Sequence, residues 1–278
     1  MPVHAPPLSE TDGLPPGALP PELARELQFD KHSAEIEARY RRCSAYWKPH
    51  LDRTRATILE AAGLCERRRT VVLFGAGLLH DIPLAELSRA FDRVLLVDAF
   101  HSMACRARAG IFPNVTCWQA DVTGTAGILL QLRKTRGPLP RMESNLLCDD
   151  ASVDLLVSVN LASQLGCAPA VLLKASHAES DIRAFQRFLV ESHLSYLRRF
   201  PGHTALITDY AWSLRPAGQP DAEPERRWSV LHDVPLPGTG VRWDWNIAPA
   251  PEADPLRDYV AHVAAFPDWK AANRLVEL

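Results

Sequence analysis

A pair of glycines and a later aspartate are the residues of this sequence whose types and spacing could do chemistry. Gly75 and Gly77 follow the apolar run 70–74, and Asp98 ends the next apolar run, 93–98. Glycines let a chain bend sharply and approach a ligand that a Cβ atom would push away. An acid about 20 residues beyond such glycines can accept hydrogen bonds from the hydroxyls of a ribose. The pattern therefore predicts a site for a ligand that contains a ribose.

Strands and turns must position these residues. The two apolar runs are rich in Val and Leu, as expected of strands covered on both faces in a parallel sheet. A third run, 114–121, ends in Asp121 after a similar interval. We expect Asp81 to cap a helix that begins after the glycines, with Pro83 in its first turn, so that free N–H groups face the ligand. Each aspartate could instead be a plain helix cap or turn residue.

A fourth strand is predicted over 153–159, an apolar run with polar residues at its carboxyl end. Ser158, Asn160 and Gln164 cluster there, where ligands bind in open α/β sheets. Because Asn160 is polar just where the strand stops being apolar, we expect it to line the ligand gap. The alternative is a turn asparagine that bonds its own backbone.

A fifth strand is predicted to reach the same edge of the sheet. Apolar residues at helical spacing predict a long crossover helix over 181–200, closed by a Pro-Gly pair. The helix leads into the strand 204–210. Asp209 and Trp212 come at the end of that strand, so they are expected on the ligand-binding edge.

At this point the sequence resembles a known family, the class I S-adenosylmethionine-dependent methyltransferases. The resemblance runs from about residue 70 to residue 210 and rests on four segments. Phe74-Gly75-Ala76-Gly77 resembles the glycine motif of the family, and Asp98 resembles its ribose-binding acid. Ala120-Asp121 is similar to the pair whose acid meets the adenine amino group. The segment 148–160 is similar to the turn and fourth strand that follow.

The resemblance implies S-adenosylmethionine as the cofactor, although two positions depart from the family pattern. Leu73 stands where the family usually has an acid, and Leu79 where it often has a third glycine. Ala99 and Met103 stand where the family makes apolar contacts with adenine. The residues predicted to bind the cofactor are Phe74, Gly75, Ala76, Gly77, Asp98, Ala99, Asp121, Val122, Ser158 and Asn160.

The predicted activity is methyl transfer to a small-molecule or protein acceptor. In-line displacement draws its rate largely from positioning and needs no strong side-chain acid or base, so the sequence assigns no catalytic residue. If a base is needed, His177 and Asp209 are the best-placed candidates, although His177 could be a simple loop residue. The residues predicted to contact the acceptor are Gln164, His177, Asp209 and Trp212.

Two other functions remain open. A nicotinamide-dependent oxidoreductase shares the strand, glycines and later acid, but His80 stands where the third glycine of G-x-G-x-x-G belongs. A non-catalytic cofactor-binding or scaffolding protein could keep the fold without turnover. An exocyclic-amine DNA methyltransferase is disfavoured because no N-P-P-Y or D-P-P-Y motif follows the fourth strand.

Composition narrows the setting. The 278 residues are 47% hydrophobic, enough to fill a core, and the formal net charge is −2. This charge gives no electrostatic reason to bind nucleic acid or an anionic membrane, although a local basic patch is possible. No apolar run reaches signal-peptide or membrane-spanning length, which predicts a cytoplasmic protein.

The cysteines predict no metal site. They occur without any C-x-x-C pair, which is typical of reduced, mostly buried thiols rather than zinc ligands or a disulfide framework. The six are Cys43, Cys65, Cys105, Cys117, Cys148 and Cys167.

Three segments are predicted along the chain. Residues 1–28 carry clustered prolines and little apolar periodicity, which predicts a disordered leader. Residues 29–66 should form two helices that pack on the core and are separated at Pro49. In the second of them, His50 is expected to be exposed or to cap the helix, with a position near the substrate as the alternative. Residues 67–278 should form the Rossmann-like cofactor-binding domain.

The end of the chain is predicted to add antiparallel strands. The β-prone runs 228–234 and 241–247 are expected to pair as a hairpin, and a last helix is expected over 255–265. The predicted fold is therefore α/β, with a doubly wound, mostly parallel sheet, an antiparallel C-terminal hairpin and a preceding helical segment.

Overall fold

A computed structural model describes residues 17–274 of the chain, with strands and helices alternating through most of that length. The strands are β1 (Thr70–Phe74), β2 (Arg93–Asp98), β3 (Val115–Gln119), β4 (Val153–Val159), β5 (His203–Pro216), β6 (Arg226–Ser229), β7 (Val241–Ala248) and β8 (Arg257–Phe266). The helices are α1 (Pro21–Glu26), α2 (Phe29–Gly63), α3 (Leu84–Ala90), α4 (Met103–Ala109), α5 (Ala126–Thr135), α6 (Cys167–Leu173), α7 (Glu179–Arg199) and α8 (Trp269–Arg274), with a short 3-10 turn at Ala162–Gln164.

The strands form one sheet in the order β3-β2-β1-β4-β5-β8-β7. The first five are parallel, whereas β8 runs antiparallel to both β5 and β7. Phe74, the last residue of β1, pairs with Val97 of β2 and with Ser158 of β4, so the carboxyl ends are aligned. The predicted α/β fold, with its mostly parallel sheet and C-terminal antiparallel strands, is confirmed.

The central strands are covered on both faces. All five residues of β1 and all seven of β4 are buried. Val71 and Leu73 point into one apolar core, and Val72 and Phe74 into another on the opposite face. Because successive side chains of a strand alternate between faces, apolar residues throughout β1 are what a two-sided burial requires.

β5 is longer than the predicted 204–210 and extends past the end of β4. Val159 of β4 pairs with Ile207, and beyond that point β6 takes the place of β4 beside β5, with Ala211 opposite Ser229. The register of β5 against β8 shifts between Asp209 and Ala211. Such a bulge bends a strand and re-aims its side chains, and here it lies at the carboxyl edge of the parallel strands.

The predicted C-terminal hairpin and last helix are wrong in detail. β6 pairs with β5, and the hairpin is formed by β7 and β8 instead. The predicted helix 255–265 is largely strand β8, in which Ala261, Val263 and Ala265 face one core while Ala264 and Phe266 face the other. Alanine has a high helix propensity, which favoured the helix prediction. In the structure, hydrogen bonds to β5 and β7 and burial on both faces stabilise the strand by more than that propensity.

Helix α2 runs without interruption through Pro49, where two helices were predicted. Proline removes one N–H donor and frees the carbonyl four residues earlier. Both Ala45 and Pro49 are exposed, so water can satisfy that carbonyl. Trp47 and Leu51 on the other side of the helix are buried in the first core, and Trp47 Nε1 donates to the Ile247 carbonyl oxygen at 2.9 Å. This packing keeps the helix continuous.

The predicted disordered leader is also corrected for its described part, residues 17–28. The Leu19 N–H donates to the Gln119 carbonyl oxygen at 3.0 Å, and Gln119 Nε2 donates back to the Leu19 carbonyl at 3.0 Å. Leu19, Ala24 and Leu27 are buried against Ala126 of α5. These few apolar side chains suffice because the strand end supplies hydrogen bonds to the backbone. Residues 1–16 of the predicted leader lie outside the described residues.

Among the helices over residues 17–274, none combines the length and the apolar composition needed to cross a membrane.

Candidate functional site

The glycine loop lies at the point where the strand order reverses. β1 has β2 on one side and β4 on the other, and ligands of open α/β sheets bind in the crevice at this switch point. Gly75 has φ of +77°, and a Cβ atom there would lie 2.4 Å from the Val159 carbonyl oxygen. Gly77 also has a positive φ, +47°, but with no atom closer than 3.7 Å to its Cβ position. Gly75 is therefore required by packing, and Gly77 by backbone conformation.

Asp98 joins the end of β2 to this loop. The Gly77 N–H donates to Asp98 Oδ2 at 2.7 Å, and the Phe100 N–H donates to Oδ1 at 3.3 Å. Burial raises the pKa of Asp98, which is half-buried at the edge of the sheet. A carboxylate has about four lone-pair positions, so both oxygens keep the capacity to accept ribose hydroxyls. The structure thus brings the glycines and the predicted ribose-binding acid together.

Asp81 does not cap a helix, in contrast to the sequence prediction. α3 begins only at Leu84, its N-cap residue is Pro83, and no side chain caps it. Asp81 points instead toward the end of β4, where Asn160 Nδ2 donates to Asp81 Oδ2 at 2.8 Å. Burial raises the pKa of Asp81. Because the helix begins three residues after Asp81, the carboxylate of Asp81 does not reach the helix N-terminus and bonds Asn160 instead.

Asn160 is the centre of a buried polar network after β4. Its φ is +49°, a conformation that Asn tolerates better than most residues. The Asn160 N–H donates to the Ile207 carbonyl at 2.8 Å, and Gln164 Nε2 donates to the Asn160 carbonyl at 2.6 Å. The side chain contacts Asp81 and His50, and Oδ1 is buried with no partner among the described residues.

His50 was expected to be exposed or capping, but it is buried beside the site. Its ring stacks on Trp245 with centroids 3.9 Å apart, and Trp243 Nε1 donates to Nδ1 at 3.2 Å. Burial lowers the pKa of His50 to about 3, so the ring is neutral at neutral pH. This position cannot be read from the local sequence, because the tryptophans that pack on His50 lie about 190 residues further along the chain.

The tautomer of His50 limits the hydrogen bonds of this network. A neutral imidazole has one donor and one acceptor nitrogen. Since Nδ1 accepts from Trp243, the ring proton is on Nε2, which lies 3.2 Å from the Asn160 amide nitrogen. That nitrogen donates to Asp81 Oδ2, so its contact with Nε2 places two donors side by side and is not a hydrogen bond.

Asp121 lies at the end of β3 as predicted, with its carboxylate engaged in the loop that starts α5. Oδ1 accepts from the Thr123 N–H at 2.8 Å, and Oδ2 accepts from the Ala126 N–H at 2.7 Å. The Asp121 N–H donates to the Gly17 carbonyl. The geometry therefore gives Asp121 a helix-capping role, and contact with adenine stays a prediction.

The other predicted adenine contacts lie nearby with different exposures. Ala99 packs beside the buried Leu19 and Leu27 of the N-terminal segment. Val122 is buried in the second core. Met103, by contrast, is 87% exposed on α4. The described part of the N-terminal segment thus covers the end of β3 and the residue after Asp98.

Phe74 and Ser158 lie inside the molecule rather than on its edge. Ser158 Oγ and His193 Nε2 are 2.8 Å apart, and the Phe74 ring stacks on Tyr196 with centroids 5.9 Å apart. Both side chains face α7 and are fully buried. Because these side chains are engaged in the interior, any role of the two residues in cofactor binding is left to their backbone atoms and stays a prediction.

Three of the four predicted acceptor residues lie together at the ends of β4 and β5. Asp209 accepts hydrogen bonds from Ser163 Oγ and, at 2.5 Å, from Trp212 Nε1, while Gln164 bonds the Asn160 carbonyl. Burial raises the pKa of Asp209. Ser163 is a member that the sequence did not identify.

His177 does not join them. Its Nε2 lies 2.9 Å from the Gly137 carbonyl oxygen and its Nδ1 2.8 Å from Ser176 Oγ. Gly137 lies beyond the last residue of α5, whereas the first residue of that helix contacts Asp121 at the sheet edge. A helix of this length spans about 15 Å, which separates His177 from the crevice.

Three carboxylates at this edge share one electrostatic property. Asp81, Asp98 and Asp209 each have a pKa raised by burial. Every ion pair found over residues 17–274 involves other acids. Desolvated carboxylates without a cationic partner are costly. The edge is therefore prepared for a ligand that carries positive charge.

Comparison with known proteins gives structural likenesses only. No family model matches the sequence, and no curated protein matches it. The chain is similar to the structure of a DhpI-SAM-HEP complex, at 17% identity over 90% of this chain and 83% of that one, with a TM-score of 0.35. It is similar to the N-methyltransferase NodS of Bradyrhizobium japonicum in complex with S-adenosyl-l-homocysteine, at 12% identity over 80% and 88% of the chains and a TM-score of 0.38.

A third similar structure is the 1,6-didemethyltoxoflavin-N1-methyltransferase of Burkholderia thailandensis with bound 1,6-didemethyltoxoflavin and S-adenosylhomocysteine. It is 14% identical over 84% of this chain and 89% of that one, with a TM-score of 0.32. The fold of this chain is assigned on its strand order and register rather than on these scores.

Proposed function

We propose that this protein is an S-adenosylmethionine-dependent methyltransferase that acts on a small-molecule or protein acceptor. The observation that carries the proposal is the position of three acids at the carboxyl edge of the sheet: Asp81 follows β1, Asp98 ends β2 and Asp209 lies at the bulge of β5. None of them has an ion-pair partner among residues 17–274. S-adenosylmethionine offers positive charge at its sulfonium and ammonium groups and two hydroxyls on its ribose. It therefore matches both the charge of this edge and the hydrogen-bonding capacity of Asp98.

The residues at the edge fit the parts of such a cofactor. Asp98 would accept from the ribose hydroxyls, and the loop Gly75–Gly77 would let the backbone approach the ligand closely. Asp81 and Asn160 Oδ1 would face positively charged N–H groups, which would give a donor to an oxygen that has none among residues 17–274. When bound, the cofactor supplies an electrophilic methyl group.

The ends of β4 and β5 would hold the acceptor. Asn160 and Asp209 present polar groups there. After the bulge at Asp209, β5 continues beyond the carboxyl ends of the parallel strands. Asp209 is the better candidate for a base, because its raised pKa brings it closer to that of an acceptor amine or hydroxyl. Most of the rate would come from positioning, as in-line displacement allows.

The structure disfavours the dinucleotide alternative. A pyrophosphate is bound by the N-terminus of a helix that directly follows the glycines. Here α3 begins at Leu84, after a loop that continues from Gly77 through Pro83. Arg108 fixes this loop by donating to the Leu78 and Leu79 carbonyl oxygens at 3.1 and 3.2 Å. Leu79 lies buried where a helix would otherwise begin.

Titration calorimetry with S-adenosylmethionine tests the cofactor. Asp98→Ala should weaken binding by about 1.5–3 kcal/mol, the scale of hydrogen bonds to a charged group. Asp92→Ala is the matched control, because Asp92 is an exposed aspartate just before β2, and it should bind like the wild type. Equal affinity of the Asp98 variant and the wild type would remove Asp98 from the ribose site.

Turnover needs its own experiment. A tritiated-methyl screen over small-molecule and protein fractions should yield a labelled product. If the protein binds S-adenosylmethionine tightly and labels no fraction, the non-catalytic cofactor-binding alternative replaces the enzyme. If a mass spectrum of ligand retained by the purified protein shows a nicotinamide dinucleotide, the proposal fails outright.

A further inference from the structure

Two thiols and an imidazole meet beside the predicted ribose site. The Nδ1 or Nε2 atom of His101 and the Sγ atoms of Cys105 and Cys117 lie within 4.8 Å of one another. His101 and Cys105 are 3% and 1% exposed, and Cys117 is half-buried. His101 precedes α4, Cys105 lies in its first turn, and Cys117 lies on β3. The sequence spacing hides this group, because only the packing of α4 on β3 brings it together.

The histidine already has the orientation of a metal ligand. His101 Nε2 lies 3.2 Å from the Trp118 carbonyl oxygen, which can only accept a proton, so the neutral ring donates from Nε2. The lone pair of Nδ1 is then directed into the group, where it accepts from the Cys105 thiol at 3.5 Å, and a metal ion would take the place of that thiol proton. A backbone carbonyl that fixes the far nitrogen of a ligating histidine is the usual outer-shell arrangement of protein metal sites.

The local charges also suit a divalent cation. Two thiolates and one Zn²⁺ sum to zero, so loading the site buries no net charge. Two arginines and one acid lie near the group. Arg106 Nε donates to the His101 carbonyl oxygen at 3.3 Å, and Arg108 donates to the loop after Gly77. Asp98, three residues before His101, adds a negative charge nearby.

We propose that His101, Cys105 and Cys117 form a zinc site, in departure from the absence of metal predicted from the cysteine spacing. Thiolate and imidazole are the ligands that Zn²⁺ prefers, with bonds of about 2.3 Å to sulfur and about 2.0–2.1 Å to nitrogen. A tetrahedral ion with these bonds sets its ligand atoms about 3.5–3.8 Å apart. The ligand atoms, which lie within 4.8 Å of one another, therefore need to approach by about 1.3 Å at most. Three protein ligands leave the fourth position to water.

The ion would link α4 to β3, next to the segment between Asp98 and α4. Binding would release one proton from each thiol, since the ligands are thiolates. The zinc site takes no part in methyl transfer, so the zinc proposal does not depend on the proposed function.

Zinc titration of the reduced, metal-stripped full-length protein against a chromophoric chelator tests the site. The wild type should bind one Zn²⁺ per chain. Cys105→Ser and Cys117→Ser should each weaken binding at least 100-fold, and His101→Ala at least 10-fold, given that even outer-shell changes cost 10–100-fold. Cys65→Ser is the matched control, because Cys65 is a buried thiol outside the group, and it should bind like the wild type.

Two measurements on the wild type test the zinc site even if a substitution in the core prevents folding. Cobalt substitution of the wild type should give a thiolate-to-metal charge-transfer band, which surface histidines cannot produce. Zn²⁺ should also slow alkylation of the half-buried Cys117 at least 10-fold while leaving that of the half-buried Cys148 unchanged. Wild-type protein that binds no Zn²⁺, or that binds it without the charge-transfer band and without protection of Cys117, would overturn the proposal.

Discussion

The two sides of the switch point are built in different ways. On the glycine side, Gly75–Gly77 and Asp98 meet through one hydrogen bond from a backbone N–H to a carboxylate. On the asparagine side, Asn160 meets Asp81 and His50, which come from a loop and from α2, through side chains only. The glycine side uses neighbouring strand ends, and the asparagine side uses elements that are distant in sequence.

This difference separates what each side can do. The glycine side offers backbone N–H groups and an acid that are held by two neighbouring strand ends, which suits recognition of a ligand that contains a ribose. The asparagine side holds a buried oxygen with no donor in the described part of the chain, the carboxylates Asp81 and Asp209 with raised pKa values, and a neutral histidine. A network with unmet hydrogen bonds is suited to change on ligand binding.

The largest effect should come from Gly75→Ala. A Cβ atom would lie 2.4 Å from the Val159 carbonyl oxygen, and φ is +77°. Crowding of a packed interior and the left-handed backbone together should lower the free energy of unfolding by about 3 kcal/mol or more. Urea denaturation measures this.

Gly77→Ala is the control for that experiment. Its Cβ would meet nothing closer than 3.7 Å, so only the backbone cost of about 1 kcal/mol remains. Equal losses for the two variants would show that the contact between the loop and β4 contributes nothing to stability.

Asn160→Gly should act on turnover. Glycine keeps the positive φ of this position but removes the amide, and misplacing a reacting group by an ångström costs about a hundredfold in rate. Turnover should therefore fall far more than cofactor affinity, as measured with the acceptor found in the methyl screen. Equal losses in both would move Asn160 to the cofactor, and unchanged turnover would remove it from the site.

The effect of His50 should depend on pH. Burial lowers its pKa to about 3 in the folded protein, against about 6.5 in an unfolded chain. Between these values the unfolded state binds the extra proton, so the stability contributed by the neutral ring is present above about pH 6.5 and is lost as the pH falls. From pH 6.5 to 4.5 this loss is about 2 kcal/mol.

His50→Gln should remove this part of the pH dependence. Urea denaturation at both pH values should show the wild type losing about 2 kcal/mol more than the variant. His193, whose pKa burial lowers to about 4, is present in both proteins and cancels in the comparison. Parallel pH profiles for the two proteins would show that His50 is accessible to water in the folded state.

The smallest effect should come from Asp121→Ala. The carboxylate accepts from the backbone N–H groups of Thr123 and Ala126, and loss of such a cap costs about 1 kcal/mol. Thermal or urea unfolding measures this loss. Calorimetry on the same variant decides its second role: a drop in cofactor affinity comparable to that of Asp98→Ala would support the predicted contact with adenine, and unchanged affinity would leave Asp121 as a cap alone.

The parallel half of the sheet was predictable, and the C-terminal half was less so. β2 and β4 occupy the predicted residues 93–98 and 153–159. A short apolar run bounded by charged residues is typical of a strand that is buried on both faces of a sheet. β8 was predicted as a helix over 255–265, since alanines favour helices and only the pairing with β5 and β7 makes a strand there.

The candidate site divides in the same way. The meeting of Gly75, Gly77 and Asp98 was predictable because each follows directly on its strand, where local sequence determines position, while their role in cofactor binding stays a prediction. Ser163 was missed, and His50 was placed on the surface, because neither belongs to a motif. His177 was placed in the site on its residue type, and the fold carries it to the far end of α5.

The sequence alone determined the parallel strands, their order along the chain and the acids at their ends, since strand periodicity and turn chemistry act over a few residues. Only the tertiary structure decided which side chains meet. α2 carries His50 to Trp243, the loop after β1 carries Asp81 to Asn160, and α4 packed on β3 gathers the thiols of the proposed zinc site. Such contacts depend on packing between elements far apart in sequence, and no local pattern encodes them.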